Sequence, residues 1–102
     1  MPGLVWTNFA VSELKAIYLY HRMIAGQKVA DKIRQRIFKT TKLLTKQPEL
    51  GAIEPNLQEL KQNYRYLVSG NYKIIYKYQE NTIYIIDVFD CRQNPQKMTK
   101  TR

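Results

Sequence analysis

The chain has 102 residues, 44% hydrophobic and 25% charged, and its seventeen Lys and Arg against eight Asp and Glu give a formal charge of +9. Such a length supports one domain with a single core, here taken as 1–102, and no apolar run reaches the roughly 18 residues of a membrane span. One cysteine, Cys91, and one histidine, His21, exclude an internal disulfide and leave no ligand set for a metal, so neither metal nor other cofactor is expected.

The start, MPGLVWTNFAVSEL, lacks the basic opening and unbroken apolar core of a secretion signal, which makes the cytoplasm the expected location. Gly3 to Trp6 reads as a short strand, and the Thr7 hydroxyl as the cap of a helix beginning near Asn8. Ala10, Leu14, Ile17, Tyr18 and His21 recur at steps of three and four and predict a buried stripe; Gly26 ends the helix. A second helix follows from Gln27 to about Lys46, with Val29, Ile33, Ile37 and Leu44 inward and Lys28, Lys32, Arg36 and Lys39 outward. Pro48 stops it, and the short Ala25-Gly26 link makes the two helices antiparallel neighbours. Pro48 to Asn63 has no sustained period and reads as a connector with one helical turn at Leu57 to Leu60. The basic tail, 93–102, is expected to fray.

Between them, Tyr64 to Arg92 reads as a three-stranded meander, broken at Ser69-Gly70-Asn71 and at Glu80-Asn81. A two-residue turn at Glu80-Asn81 predicts Lys73 opposite Val88, Ile75 opposite Ile86 and Lys77 opposite Tyr84, with Asp90 and Arg92 on that same face. The other face, with Tyr72, Ile74, Tyr76, Tyr78, Ile83, Ile85 and Phe89, is then the layer under the helices, and Asp87 is its one polar exception. The open face combines Ile75, Tyr84, Ile86 and Val88 with cations, which suits either a partner carrying apolar and acidic groups or cover by the chain's own connector or tail. Arg65 faces either side, depending on whether the first turn takes two residues or three.

No phosphate-cradling glycine loop, HExxH, GxSxG or CxxC occurs. A reaction that needs none of them is RNA cleavage by the adjacent 2′-hydroxyl, for which Lys73 and Arg92 would hold the phosphate, Tyr66 would stack on a base and Asp90 would move the proton. His21 falls on the stripe of the first helix and reads as a core histidine rather than a base. As a binding surface for nucleic acid or a protein, the same strands offer Arg65, Tyr66, Lys73, Lys77, Tyr84 and Arg92.

VWTNFAVSELKAIYLY, the PELG after the second helix, YRYLVSGNYKIIYKY and IYIIDVFDCRQNP stand in an order and spacing that resembles the RelE/ParE superfamily of bacterial type II toxin-antitoxin toxins. That resemblance implies an α+β fold, β-α-α-β-β-β, with an N-terminal helical hairpin packed on a small antiparallel sheet. It also implies a growth-inhibiting toxin that a cognate antitoxin neutralises by winding around it. Members resembling RelE cut mRNA on the ribosome, and members resembling ParE poison DNA gyrase. Lys73 matches the basic residue of the central strand in the nuclease pattern, Arg92 matches the arginine after the last strand, and Arg65 stands where a further basic residue is expected. Tyr64-Arg65-Tyr66-Leu67 lacks that branch's alternating lysines, no tyrosine follows Arg92, and Asp90 stands where another nuclease branch has histidine. The expectation is therefore a ParE-like gyrase poison; the alternatives are a RelE-like endoribonuclease and a non-toxic module that binds nucleic acid or antitoxin, none with a membrane partner.

Overall fold

In the computed structural model, residues 2–55, 57 and 63–92 are described. Apart from Leu57, the helical turn expected at 57–60 lies outside them, as does the tail at 93–102. The order is β1 (Gly3–Trp6), α1 (Asn8–Ala25), α2 (Gln27–Lys46), β2 (Ala52–Ile53), β3 (Arg65–Ser69), β4 (Tyr72–Gln79) and β5 (Thr82–Asp90). One five-stranded sheet runs β1-β5-β4-β3-β2. The meander β3-β4-β5 is antiparallel; β1 adds parallel to the first half of β5, and the two-residue β2 pairs with Arg65 and Tyr66 of β3. No described helix is long and apolar enough to cross a membrane.

Both turns of the meander have two central residues. Gly70 takes φ 60° at the first central position of one turn, while Glu80 and Asn81 take φ 52° and 58° in the other, the backbone that matches the right-handed twist of paired strands. The two-residue turn at Gly70-Asn71 pairs Tyr66 with Ile75 and Leu67 with Ile74, so Tyr64, Tyr66 and Val68 share a face with Lys73 and Ile75, and Arg65 goes to the helix side.

The helices lie on one face over Tyr72, Ile74, Tyr76, Ile83, Ile85 and Val88, and contribute Ala10, Leu14, Ile37 and Leu44. In α2 the inward row is Ala30, Ile37, Thr41 and Leu44, whereas Val29, expected inward, is 40% exposed. Thr41 sits in an apolar row because its hydroxyl donates to the Phe38 carbonyl at 2.8 Å. The connector closes on the opposite face, where Leu57, Tyr64, Ile75 and Phe89 form a second cluster with Tyr66 and Ile86 around it. Its entry is held by Tyr76, whose hydroxyl donates to the Pro48 carbonyl at 2.9 Å and accepts from the Gly51 N–H at 2.8 Å. A Cβ on Gly51 would come within 2.6 Å of the Tyr66 carbonyl oxygen and 2.8 Å of the Tyr76 ring, so only glycine fits there.

Register departs from the expected one halfway along β5. Lys77 faces Tyr84 and Tyr76 faces Ile85 as the turn predicts, but Ile75 pairs with Asp87 rather than Ile86, leaving Ile86 as the extra residue of a β-bulge. Lys73 consequently faces Phe89 rather than Val88. Beyond the bulge every side chain of β5 changes sides: Val88 enters the main core, Phe89 joins the second cluster, and buried Asp87 follows Phe89 to the face away from the helices. Thr7 stands against this irregularity. Its N–H donates to the Ile85 carbonyl at 3.1 Å, its hydroxyl donates to the carbonyls of Ile85 (2.9 Å) and Ile86 (3.4 Å), and the same oxygen accepts the Ala10 N–H at 3.2 Å to cap α1. Thr7→Val keeps the shape and removes the cap, and is expected to lower unfolding stability by about 1–2 kcal/mol in a denaturant titration.

Candidate functional site

The bulge divides the expected site residues between two faces. Lys73 lies on the connector side, where its Nζ is 3.1 Å from Oε2 and 3.4 Å from Oε1 of Glu54 and 4.4 Å from the centre of the Tyr66 ring. Glu54 is fully buried and Lys73 retains 21% side-chain exposure, so this ammonium is already neutralised under the protein's own backbone. Arg65 is on the helix side, donating to the Gly51 carbonyl at 2.7 Å and to the Glu49 carbonyl at 3.4 Å, with Glu49 Oε2 at 3.9 Å. It joins β3 to the connector's entry and stands apart from both Lys73 and Arg92. Lys77 and Tyr84 are cross-strand neighbours, the ammonium 5.8 Å from the ring centre.

Arg92 and Asp90 have crossed to the helix side, against the expected placement beside Lys73. Asp90 pairs with Tyr72 across the strands and, with Arg92, borders a cleft of about 270 Å³ lined by Glu13, Ala16, Ile17, Tyr20, Tyr72 and Val88. The Asp90 carboxylate accepts from Arg92 Nε at 2.9 Å, from Nη2 at 2.8 Å and from the Arg92 backbone N–H at 2.9 Å. These bonds hold the Asp90 carboxyl below the usual carboxylate range, and the same pairing raises Arg92. His21 Nε2 shares a 2.8 Å hydrogen bond with the Tyr72 hydroxyl, tying α1 to β4 behind the cleft. Burial pushes the Tyr72 phenol up, and the Asp90 charge adds to it.

The matching family model covers residues 4–95 and is described as the ParE toxin of the type II toxin-antitoxin system, parDE. The chain belongs to the ParE toxin family. Among solved structures, the chromosomal ParDE TA system from P. aeruginosa superimposes with a TM-score of 0.75 at 26% identity, over 88% of this chain and 96% of that one. No curated protein matches the sequence.

Three members of this ParE cleft, Glu13, Ala16 and Tyr20, are absent from the residues singled out in the sequence. Tyr20 belongs to a second apolar row of α1, with Ala16, Met23 and Ile24, one turn apart, on a different side from Leu14 and bordered by Ile17, which lines the same cleft. Met23 is 84% and Ile24 59% exposed, so α1 presents an apolar flank that continues from the cleft. The sequence signal was available as apolar residues left over from the main stripe. Beside this flank, β1 pairs with β5 only as far as Ile85, so the later half of β5 has no strand on its outer side among the described residues.

Lys73→Met removes the ammonium that faces the buried Glu54 carboxylate and is expected to destabilise the protein by on the order of 3 kcal/mol, with part recovered on adding Glu54→Gln; paired denaturation curves measure both. Tyr72 and Tyr76 are each raised from the ordinary phenol value, mainly by burial, so the folded state holds these two protons more tightly than the unfolded chain. Their contribution is complete below a pH of about 10 and disappears as pH rises through the raised values. An ultraviolet tyrosine titration should therefore show late-ionising phenols, one fewer in Tyr76→Phe. For Asp90, with its value depressed, the clamp on Arg92 persists through mild acid and opens only as pH falls through that lowered value.

Proposed function

We propose that this ParE-family protein is the growth-inhibiting component of a type II toxin-antitoxin pair, that it acts in the cytoplasm on DNA gyrase, and that a cognate antitoxin neutralises it. The observation that carries the choice of target is the separation of Lys73 from Arg92, each already held by a carboxylate on its own face of the sheet. Transition-state charge on a cleaved phosphate needs cations converging on one point, and both candidate cations are otherwise engaged. This supports gyrase over ribosome-dependent mRNA cleavage. For a protein partner, the apolar flank of α1 from Ala16 to Ile24 beside the cleft supplies the anchors that an interface core requires.

Purified toxin is expected to inhibit DNA supercoiling by gyrase in a concentration-dependent way, and the doubly substituted Lys73→Met/Glu54→Gln form, if folded, to retain that inhibition. Unimpaired supercoiling at a large excess of toxin, together with new cleavage sites in translated mRNA after induction, would reverse the choice of target.

A further inference from the structure

Six exposed cations of α2, Lys28, Lys32, Arg36, Lys39, Lys42 and Lys46, recur at steps of three and four on the side of the helix away from its buried row. The helix's remaining cation, Arg34, sits over the Tyr18 ring at 4.4 Å and bonds Asp31 at 3.2 Å. Asp31, the one acid of α2, also accepts from the Tyr18 hydroxyl at 2.9 Å. Among the described residues none of the six exposed cations has a carboxylate within 4.0 Å. Elsewhere the chain does pair its charges: Glu49 with Arg65, Glu54 with Lys73, Asp90 with Arg92. Much of the +9 of the whole chain is thus concentrated along one helix. Like charges one turn apart destabilise a helix by a few tenths of a kcal/mol per pair, so this row does not serve stability, and a merely solubilising surface would intersperse both signs.

We propose that this face of α2 binds duplex DNA through the phosphate backbone, without reading base sequence. The row runs roughly 27 Å from Lys28 to Lys46 at about 1.5 Å per residue, with a cation about every 5 Å. A DNA strand presents a phosphate about every 3.4 Å along its axis, so a row of this length can lie along a linear array of roughly eight negative charges. A protein partner draws its affinity from buried aromatic and aliphatic anchors, and along α2 the exposed apolar side chains are three, Val29, Phe38 and Leu43, against six exposed cations. Such anchors cluster instead on α1, giving the molecule two chemically different exposed faces. Backbone contact requires no hydrogen-bond readout of bases, and the lysines, as flexible point charges, suit it. The inference does not depend on gyrase being the target, since it concerns binding to DNA alone.

Fluorescence polarisation of a labelled random-sequence duplex, titrated with the full-length protein across a salt series, tests it. Wild type should bind with affinity that falls steeply with salt. The quadruple variant Lys28→Gln/Lys32→Gln/Lys39→Gln/Lys46→Gln should bind at least about tenfold more weakly at low salt, with the log–log salt slope smaller by roughly 0.9 per lysine removed. Glutamine is a good helix former, so an unchanged circular dichroism spectrum certifies the fold. Lys77→Gln, on the far face of the sheet, should alter the slope by less than any one of the four does on average. An unchanged slope in the quadruple variant overturns the proposal. So does tighter binding of polyglutamate than of the duplex at equal charge, which would assign the face to an acidic protein. Gyrase inhibition by a wild-type protein that binds no duplex would also overturn it, while leaving the gyrase reading intact.

Discussion

The arrangement of this ParE-family toxin depends on one extra residue in a strand. At Ile86 the pairing of β4 with β5 slips by one position, and because successive strand residues point to opposite faces, everything after it changes sides. Thr7 holds that irregularity from the outside, bonding the two carbonyls at the bulge while capping the first helix. The point where β1 ends, the point where α1 begins and the point where β5 bends are therefore one hydrogen-bonded junction. Without the slip, Asp90 and Arg92 would sit beside Lys73; with it, they border a cleft against α1.

That separation has an electrostatic consequence. Lys73 faces a fully buried carboxylate, and such a pair, costly to desolvate, is tolerable only with both members present. It fastens the connector over the second hydrophobic cluster and gives the small sheet a covered rear face, which a three-stranded meander alone would lack. Arg92, exposed and bidentate to Asp90, instead sets the rim of the cleft. Arg65 is occupied with the carbonyls at the connector's entry. Three cations that look equivalent in the sequence thus have three different neighbourhoods, and two of them act chiefly in holding the fold.

The polar and apolar surfaces are divided between the helices. α1 has more apolar residues than its core stripe needs, and the surplus from Ala16 to Ile24 lies beside the cleft. α2 has the reverse surplus, with cations on its outer side and no acid left to balance them. The two kinds of surface lie on different helices and need not compete for one partner.

Much of this was legible in the residues themselves. Thr7 as a cap, Gly26 between the helices, Gly70 and Glu80-Asn81 as turns and the strand-forming runs of Tyr, Ile and Val follow from local chemistry, and the element boundaries agree with it. The parallel addition of β1 to β5 and the closing of the connector on the rear face are pairings over long separations, which no local pattern encodes. Thr41 and Ala30 were hidden in the core because one is polar and the other small, although each fits a buried slot that Val29 does not reach. The division between Lys73 on one side and Arg92 on the other was decided only in the tertiary structure: strand alternation is strict until a residue is inserted, and an Ile among Ile and Val gives no sign of being the inserted one.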